Sequence, residues 1–98
     1  MPKLRIEWDQ AKNRENVRKH RVSFEEAATA YYDERALLLA DPDNYDEEER
    51  FILLGLSTTL RLLVVCHCYR SGDEVIRIIS ARKATKPETA AYAKRWGS

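Results

Sequence analysis

Two apolar runs, Arg61–Tyr69 and Glu74–Arg82, stand on either side of Ser71-Gly72-Asp73, and that arrangement leaves the chain little choice but an antiparallel hairpin. In the first run Leu62, Val64, Cys66 and Cys68 alternate with Arg61, Leu63, Val65, His67 and Tyr69, the period-two pattern of a strand with one core face and one mixed face. The second run, Val75-Ile76-Arg77-Ile78-Ile79-Ser80-Ala81-Arg82-Lys83, sets an arginine among apolar residues. A buried strand rarely carries a guanidinium unless a partner or an anionic ligand neutralises it. With a three-residue loop at 71–73, Arg70 pairs with Glu74, Cys66 with Ile78, Cys68 with Ile76 and His67 with Arg77, and the apolar faces coincide. A one-residue slip would drive Arg77 onto the helix-packed side, so the pattern favours this register.

The remaining elements follow from caps and periodicity. Leu4–Trp8 reads as a short strand, and Asp9 caps a helix to about His20, whose last turn Arg18-Lys19-His20 suits the helix dipole. Ser23-Phe24-Glu25-Glu26 is a capping box, followed by a helical stripe of Phe24, Ala27, Ala28 and Tyr31. Ala36–Ala40 and Arg50–Leu56 read as two further strands. Thr85-Lys86-Pro87-Glu88 caps a short last helix with Thr89, Tyr92, Ala93 and Trp96 on its apolar side. The expected fold is α+β: two N-terminal helices on a mainly antiparallel sheet of about four to five strands, then a short C-terminal helix. At 98 residues the chain is expected to form a single domain over residues 1–98.

Composition narrows the function classes. Although 34% of residues are charged, 44% are apolar and fall in periodic blocks, which excludes a disordered tail. The N-terminus lacks a signal-like apolar stretch and no apolar run reaches membrane-spanning length, so a cytoplasmic protein is expected. Cys66 and Cys68 read as small core residues, because two positions apart in a strand they are poorly placed for a disulfide and form no metal set. The net charge of +1 hides segregation: residues 25–49 hold ten acidic side chains and one basic, whereas basic residues dominate on both sides. The acidic loop Asp41–Glu49 would repel phosphate, and is expected to lie away from any path of an anionic ligand or against a basic partner segment.

A four-residue loop at 57–60 pairs Leu56 with Arg61 and hence Arg50 with His67. Arg50, His67 and Arg77 then lie abreast on three neighbouring strands, across about 10 Å, the span of one phosphodiester. Metal-free RNA cleavage needs a base for the 2'-hydroxyl, an acid for the 5'-oxygen and cations for the phosphorane oxygens, and imidazole and guanidinium supply these. On that reading His67 is the proton-transfer group, Arg50 and Arg77 grip the scissile phosphate, and Arg61, Arg82 and Lys83 hold its neighbours. The residues also admit plainer roles: His67 as a hydrogen-bonded histidine on a partly buried strand, and Arg77 in a salt bridge to the acidic loop. His20 reads as a helix-terminal residue, and Trp8 and Trp96 as packing.

Four stretches resemble the BrnT family of type II toxins: Glu7-Trp8-Asp9 with Lys12 and Asn16; Lys19-His20 with Val22-Ser23-Phe24-Glu25-Glu26-Ala27; Glu49-Arg50 with Gly55; and Leu62–His67 with Ile76–Ala84. The resemblance implies a RelE/ParE-like fold and a ribonuclease that arrests translation without metal or organic cofactor. It also implies a hetero-oligomer with a ribbon-helix-helix antitoxin of the BrnA type, which would carry the DNA contacts, and no membrane association. Arg50, Arg61, His67, Arg77, Arg82 and Lys83 fall on family motif positions. Two alternatives stay open: a non-catalytic antitoxin-binding co-repressor of the same fold, and a toxin with a non-RNA target such as gyrase. The chain departs from the family at Arg21 and Leu60, where the family often has glycine, and Arg21 needs a positive φ if its helix ends in the usual left-handed cap.

Overall fold

Side-chain caps start the helices where the sequence places them. Asp9 Oδ1 accepts from the amides of Ala11 and Lys12, at 2.8 and 3.1 Å, and opens α1 (Gln10–His20). Ser23 Oγ accepts from the Glu26 amide at 3.0 Å and opens α2 (Phe24–Thr29), which runs into a 3-10 turn over Ala30–Tyr32. The Thr85–Glu88 box closes in both directions, at 2.8 and 3.3 Å, ahead of α3 (Lys86–Gly97). The computed structural model describes residues 4–41, 49–72 and 74–97. Asp43, Asp46, Glu47 and Glu48 of the acidic loop, and the side chain of Trp96, lie outside the described residues. The expected apolar stripe of α3 is largely solvent-facing: Thr89 and Ala93 are exposed, and Tyr92 makes the inward contact through a 2.6 Å bond to Asp33.

The strands are β1 (Arg5–Glu7), β2 (Leu37–Ala40), β3 (Phe51–Leu56), β4 (Leu62–Arg70) and β5 (Val75–Lys83). They form one sheet in the order β1-β5-β4-β3-β2, antiparallel except for the parallel β1–β5 pair. Val22, Phe24, Ala27 and Ala30 of the helical layer pack on Leu53, Leu63, Val65, Ile78 and Ala81 of the sheet. Gly55 is required by this packing, since a Cβ there would lie 2.8 Å from the Ala30 carbonyl oxygen. Among the described residues, no helix is long and apolar enough to cross a membrane.

The pairing differs from the expected register at both hairpins. The β4–β5 loop holds four residues rather than three, so Arg70 faces Val75, Cys68 faces Arg77 and His67 faces Ile78. A β-bulge follows: Cys66 pairs with Ser80, leaving Ile79 as the extra residue. The β3–β4 loop holds five residues, so Phe51 rather than Arg50 faces His67. Together these shifts put the helices on the Leu63, Val65 and His67 face of β4, not on the Val64, Cys66 and Cys68 face.

The later half of β5 extends past β1, and α1 covers its edge with a side chain instead of a strand. Asn16 Nδ2 donates to Ala81 O at 2.8 Å and to Val22 O at 2.8 Å, while its Oδ1 accepts from the Ala81 amide at 3.1 Å. The amide thus satisfies both polar groups of a buried edge residue, as a neighbouring strand would. Asn16→Ala should lower stability by about 3 kcal/mol, because Ala81 and Val22 lose partners in a buried site, read as a shift of the urea midpoint at constant m-value. Arg21 and Leu60 both adopt left-handed backbone, with φ of 60° and 66°. Arg21→Gly or Leu60→Gly should therefore raise stability, by up to about 1 kcal/mol each in the same measurement.

Candidate active site

The bulge and loop lengths divide the six expected site residues between the two faces of the sheet. Arg61, His67 and Lys83 share register positions with the helix-facing set, whereas Arg77 and Arg82 pair with Cys68 and Val64 on the other face. Arg50 lies on that second face too, beside Ile52 and Cys66. The expected row of Arg50, His67 and Arg77 is therefore not formed. A three-residue loop at 71–73 and a four-residue loop at 57–60 predict it; each loop is one residue longer, and that undoes it.

His67 is tucked beneath the helical layer with 1% of its surface exposed. Its Nδ1 is 2.6 Å from the Tyr31 hydroxyl, its ring stacks on Phe51 at 5.9 Å, and Tyr69 meets it edge-on at 4.9 Å. Nε2 is buried and, among the described residues, has no hydrogen-bond partner. Burial pushes the imidazole down to about 4, so it is neutral near pH 7, and it packs among the rings of Tyr31, Phe51 and Tyr69.

The other cations are placed by specific partners. Arg61 binds both carboxylate oxygens of Glu26, at 2.8 Å through Nε, and donates to the Arg21 carbonyl at 3.0 Å. That guanidinium holds the Glu26 carboxyl down to about 2 and ties the start of β4 to α2 and the α1–α2 turn. Arg77 meets Glu7 of β1 at 2.6 Å, directly across the parallel pair, and not the acidic loop. Arg82 makes a two-pronged pair with Glu88 of α3, at 2.8 and 2.9 Å, with the arginine side chain still 42% exposed. Lys83 is exposed at the end of β5.

On the helix-free face these elements leave a cleft of about 290 Å³. Arg50, Arg82 and His20 line it with Asp41, Cys66 and Ser80, over a floor of Ile52 and Val64. His20 arrives there because Asn16, one turn earlier on the same face of α1, is bonded to the edge of β5. The sequence did not announce it: Asn13 and Asn16 are buried and mark that face of α1 as turned to the protein, with His20 as its continuation, but only the structure shows that burial. Cys66 is no nucleophile here, because burial, and then the Asp41 carboxylate 3.9 Å from its sulfur, push the thiol up and keep it protonated. Asp41 borders the cations and does not lie apart from them as expected for the acidic loop.

A helical layer on one face of a five-stranded sheet, with a cationic cleft on the other, defines a small α+β domain with a site suited to an anion. Residues 8–88 match the family model described as "Ribonuclease toxin, BrnT, of type II toxin-antitoxin system", and the chain belongs to that family. Among solved structures it is similar to the 1.1 Å crystal structure of the Brucella abortus ribonuclease toxin BrnT, with a TM-score of 0.56 and 25% identity over 86% of this chain and 100% of that one. No curated protein matches the chain in sequence.

The depressed His67 pKa makes a sign-specific prediction. Between the ordinary value of 6.5 and about 4 the unfolded chain binds the proton that the folded ring refuses. The stability tied to the neutral ring is therefore complete above pH 6.5 and is lost as pH falls to about 4, by about 3 kcal/mol. Urea denaturation across that window should show the loss in the native chain and a flatter profile in His67→Phe. The lowered carboxyls of Glu26 and Glu88, each at about 2, act below their ordinary 4.5 and leave most of the window clear.

Proposed function

We propose that the chain is a metal-independent endoribonuclease toxin that cuts RNA at the cleft formed by His20, Arg50 and Arg82. The observation that carries this reading is the delivery of an imidazole, by the end of α1, to a pair of guanidinium groups on the helix-free face. Arg50 and Arg82 bind the non-bridging oxygens of the scissile phosphate and stabilise the charge that grows there in the phosphorane. His20 takes the proton of the ribose 2'-hydroxyl as that oxygen attacks phosphorus. The bond to the 5'-oxygen breaks, the departing oxygen takes a proton from water, and the products are a 2',3'-cyclic phosphate and a 5'-hydroxyl. Substrate binding draws Arg82 from Glu88, an exchange eased by the partial exposure of both groups. Arg77, held by Glu7 toward the other end of β5, gives long-range attraction rather than a contact at the reacting phosphate.

The toxin acts in the cytoplasm, arrests translation by destroying RNA, and is neutralised by a ribbon-helix-helix antitoxin of the BrnA type through which the pair contacts DNA. Membership of a type II toxin family supports an antitoxin partner. The acidic bias of residues 25–49 favours a basic antitoxin segment there.

Incubation of the purified chain with RNA in EDTA tests the reading. The native chain should cleave, and His20→Ala and Arg50→Ala should each be slower by about 100-fold, while His67→Phe, folded by circular dichroism, should stay within a few-fold of the native rate. A folded but inactive His67→Phe beside an active His20→Ala would return the site to the helical face. Growth arrest without RNA loss would point to another target.

A further inference from the structure

A second cleft, of about 200 Å³, runs between α1 and β5 and is lined by Lys12, Glu15, Asn16, Lys19, His20, Ile79 and Ser80. It shares His20, Ile79 and Ser80 with the first, so the two clefts adjoin at the end of α1, and the second follows that helix back toward its N-terminus. We propose that this arm binds the RNA backbone next to the scissile phosphate, with Lys19 and then Lys12 as the phosphate-binding residues. The proposal rests on the cleft at His20, Arg50 and Arg82 being the cleavage site.

Spacing and charge both favour a polyanion in the arm. Lys12 and Lys19 are seven residues apart, two helical turns, so they lie on one face of α1 separated by about 10 Å along its axis. The end of a helix carries a partial negative charge that would repel phosphate, but the last turn of α1 holds Arg18, Lys19 and His20 and reverses that field. Among the described residues, Glu15 is the one carboxylate lining the arm, and Arg18 and Lys19 already engage it, Lys19 at 3.8 Å. The floor is shaped by the bulged residue Ile79 and by Asn16, whose amide is occupied by Ala81 and Val22. With no free base-reading amide in the floor and lysines along the wall, the arm holds backbone phosphate and carries no sequence code.

The test compares a dinucleotide with an eight-nucleotide RNA of the same cleaved step. The native chain should prefer the longer substrate, and the double variant K12Q/K19Q should lose roughly 10-fold of that preference in kcat/KM, through KM rather than kcat. The salt dependence of octamer binding should become shallower by roughly 1.4 in log–log slope, two lysines at about 0.7 each. Glu15→Gln should strengthen octamer binding, whereas Arg14→Gln, on the opposite side of α1, should leave the preference close to native. An unchanged preference in K12Q/K19Q, or an equal loss in Arg14→Gln, would overturn the arm while leaving the cleavage site standing. Failure of the native chain to cut either RNA would instead overturn the functional reading on which it rests.

Discussion

One unpaired residue in β5 decides which side chains meet solvent and which meet the helices. Ile79 sits between Ile78, paired with His67, and Ser80, paired with Cys66, so each strand half keeps its own facing pattern across the hairpin. On the turn side of the bulge, Ile78 joins the helical core and Arg77 faces away. Beyond it Ala81 takes the core position and Ser80 and Arg82 take the open one. A strict alternation would have put Ser80 and Arg82 beneath the helices with Ile78, or Arg77 there with Ala81. The bulge removes that conflict and twists the strand locally.

The edge of β5 just past the bulge is where α1 is fastened. Asn16 closes the two backbone groups of Ala81 from a buried position. Because one helical turn separates residues 16 and 20, fastening the one positions the other, and His20 is brought beside Ser80 and Arg82. The packing device and the proposed site are thus the same contact seen from two sides. Other ion pairs serve the frame: Arg61 with Glu26 joins sheet to helix, and Arg82 with Glu88 seats the start of α3 while remaining within reach of the open face.

The two histidines divide the tasks that imidazole can perform. His67, enclosed by Tyr31, Phe51 and Tyr69, is stripped of water and kept neutral, so it contributes shape and one hydrogen bond. His20, at an exposed helix end among basic neighbours, keeps access to solvent and to an anionic ligand. Burial rather than residue type separates an imidazole that packs from one that meets solvent.

Most of the architecture was legible in the chain because it depends on short-range physics. The caps at Asp9, Ser23 and Thr85, the strand runs and the positive φ of Arg21 all follow from a few neighbouring residues. The α+β class and the family resemblance were available at the same level. What residues 61–83 could not state was the phase between strands: Ser71–Glu74 closes as a four-residue loop, Ser57–Arg61 as a five-residue loop, and Ile79 bulges, and each adds a residue that local pattern does not count. Facing direction inverts with every such residue, so His67 went inward and His20 gained the cleft. The sequence alone determined which segments become helix or strand, since those preferences are settled within a turn or a pleat. Tertiary structure decided which cations share a face, because that depends on closing loops and satisfying the amides of a strand edge 65 residues away from Asn16.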